Sequence, residues 1–148
     1  MNELKVVQIL ENELGFSQSS IKKLKKFHDM LLEYNKRYNL VSRTTENQIW
    51  FRHILDSAQI LKFIDNKAAS NIADFGTGAG FPGLILAIYG ENMGFHVKLY
   101  EKSKVKRKFL SKIKEILSLK NISIKNNVYT NGIEAEVVVC RAFKKLSE

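Results

Sequence analysis

An α/β fold, with a parallel sheet preceded by a helical N-terminal segment, follows from three features of this 148-residue chain. Apolar residues recur at steps of three and four through the first third, the signature of amphipathic helices. From about Asn71 short apolar runs alternate with helical patterns, the order that yields right-handed crossovers and a parallel sheet. Between the first such run and its helix stands a glycine-dense loop, Asp74-Phe75-Gly76-Thr77-Gly78-Ala79-Gly80-Phe81-Pro82-Gly83.

Leu4, Val7, Leu10 and Leu14 predict one face of a first helix, stopped by Gly15. Ser17-Gln18-Ser19-Ser20 predicts entry into a longer helix whose inward stripe is Ile21, Leu24, Phe27, Leu31, Tyr34 and Tyr38. Lys22, Lys23, Lys25 and Lys26 fall on its solvated face. Thr44 or Thr45 is placed to cap a third helix through Ile49, Trp50, Ile54, Ser57 and Leu61. Strands are expected at Ile72–Phe75, His96–Tyr100, Ile122–Lys125 and Val137–Cys140. Helices are expected from Pro82 through Tyr89 and over Lys104–Leu117, the latter with Val105, Phe109, Ile113 and Ile116 inward. Residues 1–70 thus read as a helical extension packed on a core of residues 71–148, the two forming a single structural unit. Val137-Val138-Val139 is apolar on both faces, as in an interior parallel strand, and is an exposed edge unless another segment pairs with it. Cys140, next in that run and the only cysteine, reads as a small buried hydrophobe.

The chain carries 24 Lys and Arg against 15 Asp and Glu, a net charge of +9, which points to a polyanionic partner such as nucleic acid. Residues 71–148 hold 13 basic and 7 acidic side chains, against 11 and 8 in residues 1–70. Between Lys98 and Lys114 eight basic residues face only Glu101. The N-terminal residues lack the apolar core of a signal peptide, and no apolar run approaches a membrane span. A lone cysteine and this N-terminus fit a reducing cytoplasm.

The glycine loop carries the chemistry. Four glycines in eight residues are costly unless the backbone turns sharply or approaches a ligand. A strand–loop–helix of this kind is how α/β sheets build a nucleotide site. Asp74, two residues before the first glycine, would repel a pyrophosphate and suits a cationic ligand such as S-adenosylmethionine, with its sulfonium and ammonium groups. Glu101 stands 21 residues after Gly80, directly behind the next strand, where an acid accepts hydrogen bonds from ribose hydroxyls. Gly78-Ala79-Gly80-Phe81-Pro82-Gly83 also satisfies the dinucleotide pattern G-x-G-x-x-G, so an oxidoreductase that uses a dinucleotide is the rival reading. No zinc-like Cys/His cluster and no Ser/His/Asp arrangement is evident. Arg141, at the carboxyl end of the last strand, points to the crevice where such sheets bind ligands.

Residues 74–83 resemble the cofactor loop of the bacterial small-subunit (16S) ribosomal RNA guanine-N7 methyltransferases, also called glucose-inhibited division protein B. Tyr34-Asn35-Lys36-Arg37-Tyr38-Asn39-Leu40-Val41-Ser42, Arg52-His53-Ile54-Leu55-Asp56-Ser57, Lys106-Arg107-Lys108-Phe109-Leu110 and Arg141-Ala142-Phe143 resemble further family segments in the same order. The resemblance covers nearly the whole chain. It implies a class I S-adenosylmethionine-dependent methyltransferase fold (Rossmann-like), with a helical N-terminal extension. The family continues through further strands, so the sheet is expected to be incomplete at its C-terminus, and a non-catalytic RNA-binding remnant of the family is a second reading. The implied cofactor contacts are Asp74, Gly76, Gly78, Gly80, Phe81, Glu101 and Arg141. Ungapped matching from Asn121 adds Tyr129 and Thr130, where the family usually has Glu at the second position. The implied substrate is 16S rRNA or the small-subunit particle, met by a cytoplasmic monomer with no membrane or DNA partner.

Guanine N7 carries a lone pair and no proton, so its methylation needs alignment rather than a general base or a metal. His53 is accordingly expected to pack the third helix against the glycine loop, and Asp56 to pair with Arg52. Arg43, Arg52, Lys102, Lys104, Lys106, Arg107 and Lys108 are the expected RNA contacts, which position a phosphate backbone without reading its sequence.

Overall fold

The computed structural model describes residues 1–65, 70–91, 93–126 and 133–141. Helices α1 (Glu3–Asn12) and α2 (Gln18–Asn35) open the chain, each capped by a side chain: Asn2 accepts from the Lys5 amide and Ser17 from the Ser20 amide. A helical segment of mixed pitch follows. It has a 3-10 turn at Glu46–Gln48, a π-helical stretch at Trp50–Leu55, one α-turn, α3 (Asp56–Ala58), and a second 3-10 turn at Gln59–Phe63. Then come β1 (Asn71–Phe75), α4 (Gly83–Gly90), β2 (His96–Tyr100), α5 (Lys104–Ile116), β3 (Ile122–Lys125) and β4 (Val137–Val139).

The four strands form one parallel sheet in the order β3-β2-β1-β4, with Asp74 opposite Leu99 on one side and Val139 on the other. Both crossovers, through α4 and α5, step in the same direction, so right-handedness puts both helices on one face. Ile72, Asp74, Val97, Leu99 and Ile122 point into that face. All but Asp74 join a continuous apolar cluster running from Val6 and Leu10 through Phe27 and Ile54 to Leu84 and Phe109. Helix α2 lies across this layer. Phe27 meets the Phe81 ring at 5.6 Å and the Phe109 ring at 6.3 Å. Buried Ser20 donates to the Ile88 carbonyl at 3.2 Å, and Lys23 closes on Glu91 at 2.6 Å. The extension is therefore bolted to α4, the helix that follows the glycine loop.

Several expectations change in detail. Val6, Val7 and Leu10 are the buried residues of α1, while Leu4 is 66% exposed. Val105 is likewise exposed, and Leu110 takes its place in the core. Tyr38 lies past the end of α2 and is exposed. Thr45 makes no capping bond; its hydroxyl turns instead to the Ser42 carbonyl and to His53. β4 has a neighbour on one side only among the described residues, so Val138 is 52% exposed, and Cys140 is exposed rather than buried.

Candidate active site

The loop after β1 is bent by glycines in the left-handed region: Gly76 at φ 66°, Gly78 at φ 61° and Gly80 at φ 114°. That conformation is strained for any residue with a Cβ. The Gly78 position is open, with no heavy atom beyond its own chain neighbours within 4 Å of where a Cβ would stand. The backbone there is thus bare and able to lie against a ligand.

Glu101, at the end of β2, lies against this loop. Its Oε1 accepts from the Gly78 amide at 3.0 Å and its Oε2 from the Ser103 amide at 2.9 Å. The loop glycine and the second acid, 23 positions apart, are thereby brought into one site at the carboxyl ends of adjacent strands. That is the crevice in which open α/β sheets bind nucleosides.

Asp74 sits beneath the loop and is fully buried. Its Oδ2 accepts from the Gly83 amide at 2.7 Å, satisfying an otherwise orphaned donor in the first turn of α4. Its Oδ1 is buried without a partner, as is the Thr77 hydroxyl. Burial pushes the Asp74 carboxyl up to about 7. Thr77, near without closing a hydrogen bond, the Gly83 amide and Arg141 oppose that shift, and Glu101 adds to it. The sequence argument has this carboxylate facing the ligand as a fixed charge. In the structure it is covered by the loop it braces, and its charge varies near neutral pH. An orphaned acceptor below a bare glycine turn nevertheless fits a cationic ligand, and the loop and Glu101 together fit a nucleoside; these residues suit S-adenosylmethionine.

A second cluster joins the mixed helical segment to the loop. His53 stacks on Phe81, ring centroids 5.0 Å apart and planes at 27°. Its Nε2 is 2.9 Å from the Thr45 hydroxyl, and its Nδ1 is 3.3 Å from both terminal nitrogens of Arg141. The guanidinium lies over the Phe81 ring at 5.7 Å, and its Nε is 3.8 Å from Asp56 Oδ2. Burial lowers the His53 pKa to about 4, Arg141 acting with it and Asp56 against it. The neutral ring accepts from Arg141 at Nδ1 and donates from Nε2 to Thr45, a tautomer assigned from its partners. Arg52 does not pair with Asp56: it donates to Gln48 at 2.9 Å, and Arg141 takes the carboxylate. Beside these residues opens a cleft of about 500 Å³.

The chain is similar to known proteins over most of its length. Residues 20–148 match the family model of GidB, rRNA small subunit methyltransferase G. The chain belongs to the GidB family. Among its relatives, the ribosomal RNA small subunit methyltransferase G of Rickettsia akari (strain Hartford) is 42% identical over 132 residues, 88% of this chain and 66% of that protein. The enzyme of the same name from Rickettsia felis is 42% identical over 128 residues, 86% of this chain and 64% of the relative. That of Orientia tsutsugamushi (strain Ikeda) is 34% identical over 142 residues, 96% and 70% of the two chains. The chain thus spans about two thirds of the length of its GidB relatives.

The basic residues fall into distinct settings. Lys104 and Lys108 are exposed and line a groove of about 410 Å³ along α5, together with Arg107, Lys112 and Glu115. Arg107 alone of these donates to the carbonyls of Glu101 and Lys102, at 2.9 and 2.6 Å, and so holds the end of β2 against α5. Lys102 is exposed and Lys106 half-buried in the same neighbourhood, whereas Arg43 stands exposed before the mixed helical segment. Tyr129 and Thr130 lie outside the described residues. The sequence does not show Thr45 as a partner of His53, eight residues on, because that contact depends on the mixed pitch of the helical segment, nor Asp56 as a partner of Arg141, because that contact crosses the fold.

Proposed function

We propose that this protein transfers a methyl group from S-adenosylmethionine to N7 of a guanosine in 16S ribosomal RNA, acting as a monomer in the cytoplasm. The observation that carries the reading is the meeting of the Gly76–Gly80 turn with Glu101, in a chain of the GidB family. Gly76, Gly78, Gly80 and Phe81 would hold the donor's backbone-facing side. Glu101 would take its ribose, and Arg141 would lie toward its carboxylate or the target base.

The chemistry the donor supplies is an electrophilic methyl group on a sulfonium, for which the guanine N7 lone pair is the nucleophile. No proton leaves N7, so no side chain need act as a base. His53 agrees with this: with a pKa near 4 and its Nδ1 facing Arg141, it holds a guanidinium rather than a proton. Alignment and a fixed electrostatic field are what the chain provides. Every residue invoked comes from one copy of the chain. The basic groove on α5 supplies phosphate contacts to the RNA. Among the described residues no helix is long and apolar enough to cross a membrane.

The test is a calorimetric titration with S-adenosylmethionine, S-adenosylhomocysteine and NAD, followed by transfer of labelled methyl to naked 16S rRNA and to small-subunit particles. Donor binding with label in N7-methylguanosine is expected. Binding of NAD without response to the donor would overturn the reading. Donor binding with no transfer to either RNA would favour a non-catalytic RNA-binding remnant.

A further inference from the structure

The cleft beside the glycine loop is walled by Phe51, Arg52, Asp56 and Gln59 of the mixed helical segment, with His53 and Arg141 forming the wall shared with the loop through Phe81. Its volume, about 500 Å³, lies in the range of small-molecule sites. The contents of its walls are unusual for a phosphate site. Besides two arginines it holds a carboxylate, Asp56, whose side chain is 58% exposed and comes no nearer to Arg141 than 3.8 Å, between Oδ2 and Nε. A carboxylate repels phosphate and accepts from paired N–H donors. Phe51 is 40% exposed, a large aromatic left facing solvent at the same opening.

We propose that this cleft receives the target base itself, Asp56 accepting from N1–H and the N2 amino group of guanine while Phe51 stacks on its face. The inference rests on the methyltransferase reading above. A base that reacts at N7 cannot be gripped there: an arginine forked onto O6 and N7, the commonest protein contact to guanine, would occupy the lone pair that must react. Recognition has to use the opposite edge. On that edge guanine presents two adjacent donors, N1–H and N2–H, which match the two oxygens of a carboxylate. Adenine presents an acceptor at N1 and is refused by the same group. Inosine keeps N1–H and loses the N2 amine, so it forfeits one of the two bonds. Stacking on an aromatic ring compensates for removing the base from its neighbours, as in other proteins that act on an extruded base. Arg52, held by Gln48 through Nε, keeps its terminal nitrogens for O6 or a flanking phosphate.

The test separates the cleft from the reaction. Amide spectra of the 15N-labelled protein, saturated with S-adenosylhomocysteine, are followed during titration with GMP, IMP and AMP. GMP is expected to shift the amides of residues 51–59 and to bind about tenfold more tightly than IMP, the worth of one hydrogen bond to a charged group. AMP should leave them in place. Asp56→Asn should abolish the preference of GMP over IMP, and Phe51→Ala should weaken both. Melting temperatures of the two variants should stay close to that of the wild type, which shows the fold intact. Equal binding of the three nucleotides, shifts confined to other residues, no shift at all, or a GMP preference that survives Asp56→Asn would each overturn the assignment. If the wild-type protein moves no methyl to RNA, the proposed function fails while the titration still judges the cleft. If it methylates RNA and Asp56→Asn matches it, the cleft assignment fails alone.

Discussion

Both terminal nitrogens of Arg141 lie 3.3 Å from Nδ1 of His53. The two residues are 88 positions apart, one on a π-helical turn and the other at the carboxyl end of β4. Phe81 of the glycine loop lies against both, stacked on the imidazole and under the guanidinium. The helical extension, the glycine loop and the last described strand are thereby tied at one point.

His53 acts in this arrangement by aiming Arg141, which gives the first prediction. His53→Ala removes both the stack and the acceptor, and methyl transfer should fall by about a hundredfold, the cost of a small misplacement of a positioning group. His53→Gln keeps an acceptor and should recover much of the loss. Steady-state kinetics on 16S rRNA, with melting temperatures of both variants, checks this. Equal losses in the two variants with unchanged stability would mean that the imidazole does something other than accept from Arg141.

Asp74 and His53 impose opposite pH dependences on stability. The Asp74 pKa is raised on folding, from 3.8 to about 7, so its contribution is full below about 4 and lost as pH rises to about 7. The His53 pKa is lowered, from 6.5 to about 4, so its contribution is full above 6.5 and lost as pH falls to about 4. Between 4 and 6.5 the two offset each other, and above 6.5 the Asp74 decline stands alone. Asp74→Asn keeps an acceptor for the Gly83 amide and removes the buried charge. Its melting temperature should exceed that of the wild type above pH 7 and lack the fall toward that pH. Thermal melts from pH 4 to 9 read both effects.

The same carboxyl links pH to donor binding. A cationic ligand over the loop favours the ionised form, so binding S-adenosylmethionine at pH 7 should release a fraction of a proton. Calorimetry in buffers of different ionisation enthalpy measures that fraction, and Asp74→Asn should reduce it to nothing. Release that persists in the variant would assign the proton to another group.

The two kinds of glycine in the loop should respond differently to alanine. A Cβ at Gly83 would stand 2.6 Å from Asp74 Oδ2 and 2.5 Å from Leu99 Cδ2, inside the core. Gly83→Ala should therefore destabilise the fold by about 1–3 kcal/mol through overpacking. A Cβ at Gly78 meets nothing, and Gly78→Ala bears only the left-handed backbone, roughly 1–2 kcal/mol. Gly78→Ala should still lose donor binding, since its Cβ stands where a ligand approaches. Denaturant melts and calorimetry on the pair separate folding from binding.

The parts of this fold that sequence made legible are those set by local pattern. β2 and β3 fall on the expected residues, β1 begins one residue earlier, and the left-handed glycines of the loop lie where the glycine density put them. The contacts that build the second half of the site are another matter. A π-helical turn at Trp50–Leu55 has no period that distinguishes it from an α-helix over six residues, and its placement answers to the packing of His53 on Phe81. The preference of Asp56 for Arg141 over Arg52 needs the sheet in place, because the local i, i+4 pair is worth only a few tenths of a kcal/mol. The burial expected of Cys140 failed for a similar reason: an apolar run reveals a strand, not whether a neighbour covers it.

The lysines of α5 and Arg107 share one helix and should part company on substitution. Lys104, Lys108 and Lys112 project into an open groove, and replacing them by Glu should leave stability nearly unchanged. RNA affinity should weaken, and the slope of log K against log salt should flatten by about 0.7–0.9 for each lysine that touches a phosphate. Arg107→Ala removes the donors to the Glu101 and Lys102 carbonyls at the end of β2, next to the carboxylate that meets Gly78. It should lower the melting temperature and donor affinity while changing the salt slope little. Filter-binding with 16S rRNA from 50 to 300 mM salt (about a 2.5-fold span in Debye length), beside calorimetry with S-adenosylhomocysteine, reads both. A flattened slope in Arg107→Ala with donor affinity intact would instead count Arg107 among the phosphate contacts.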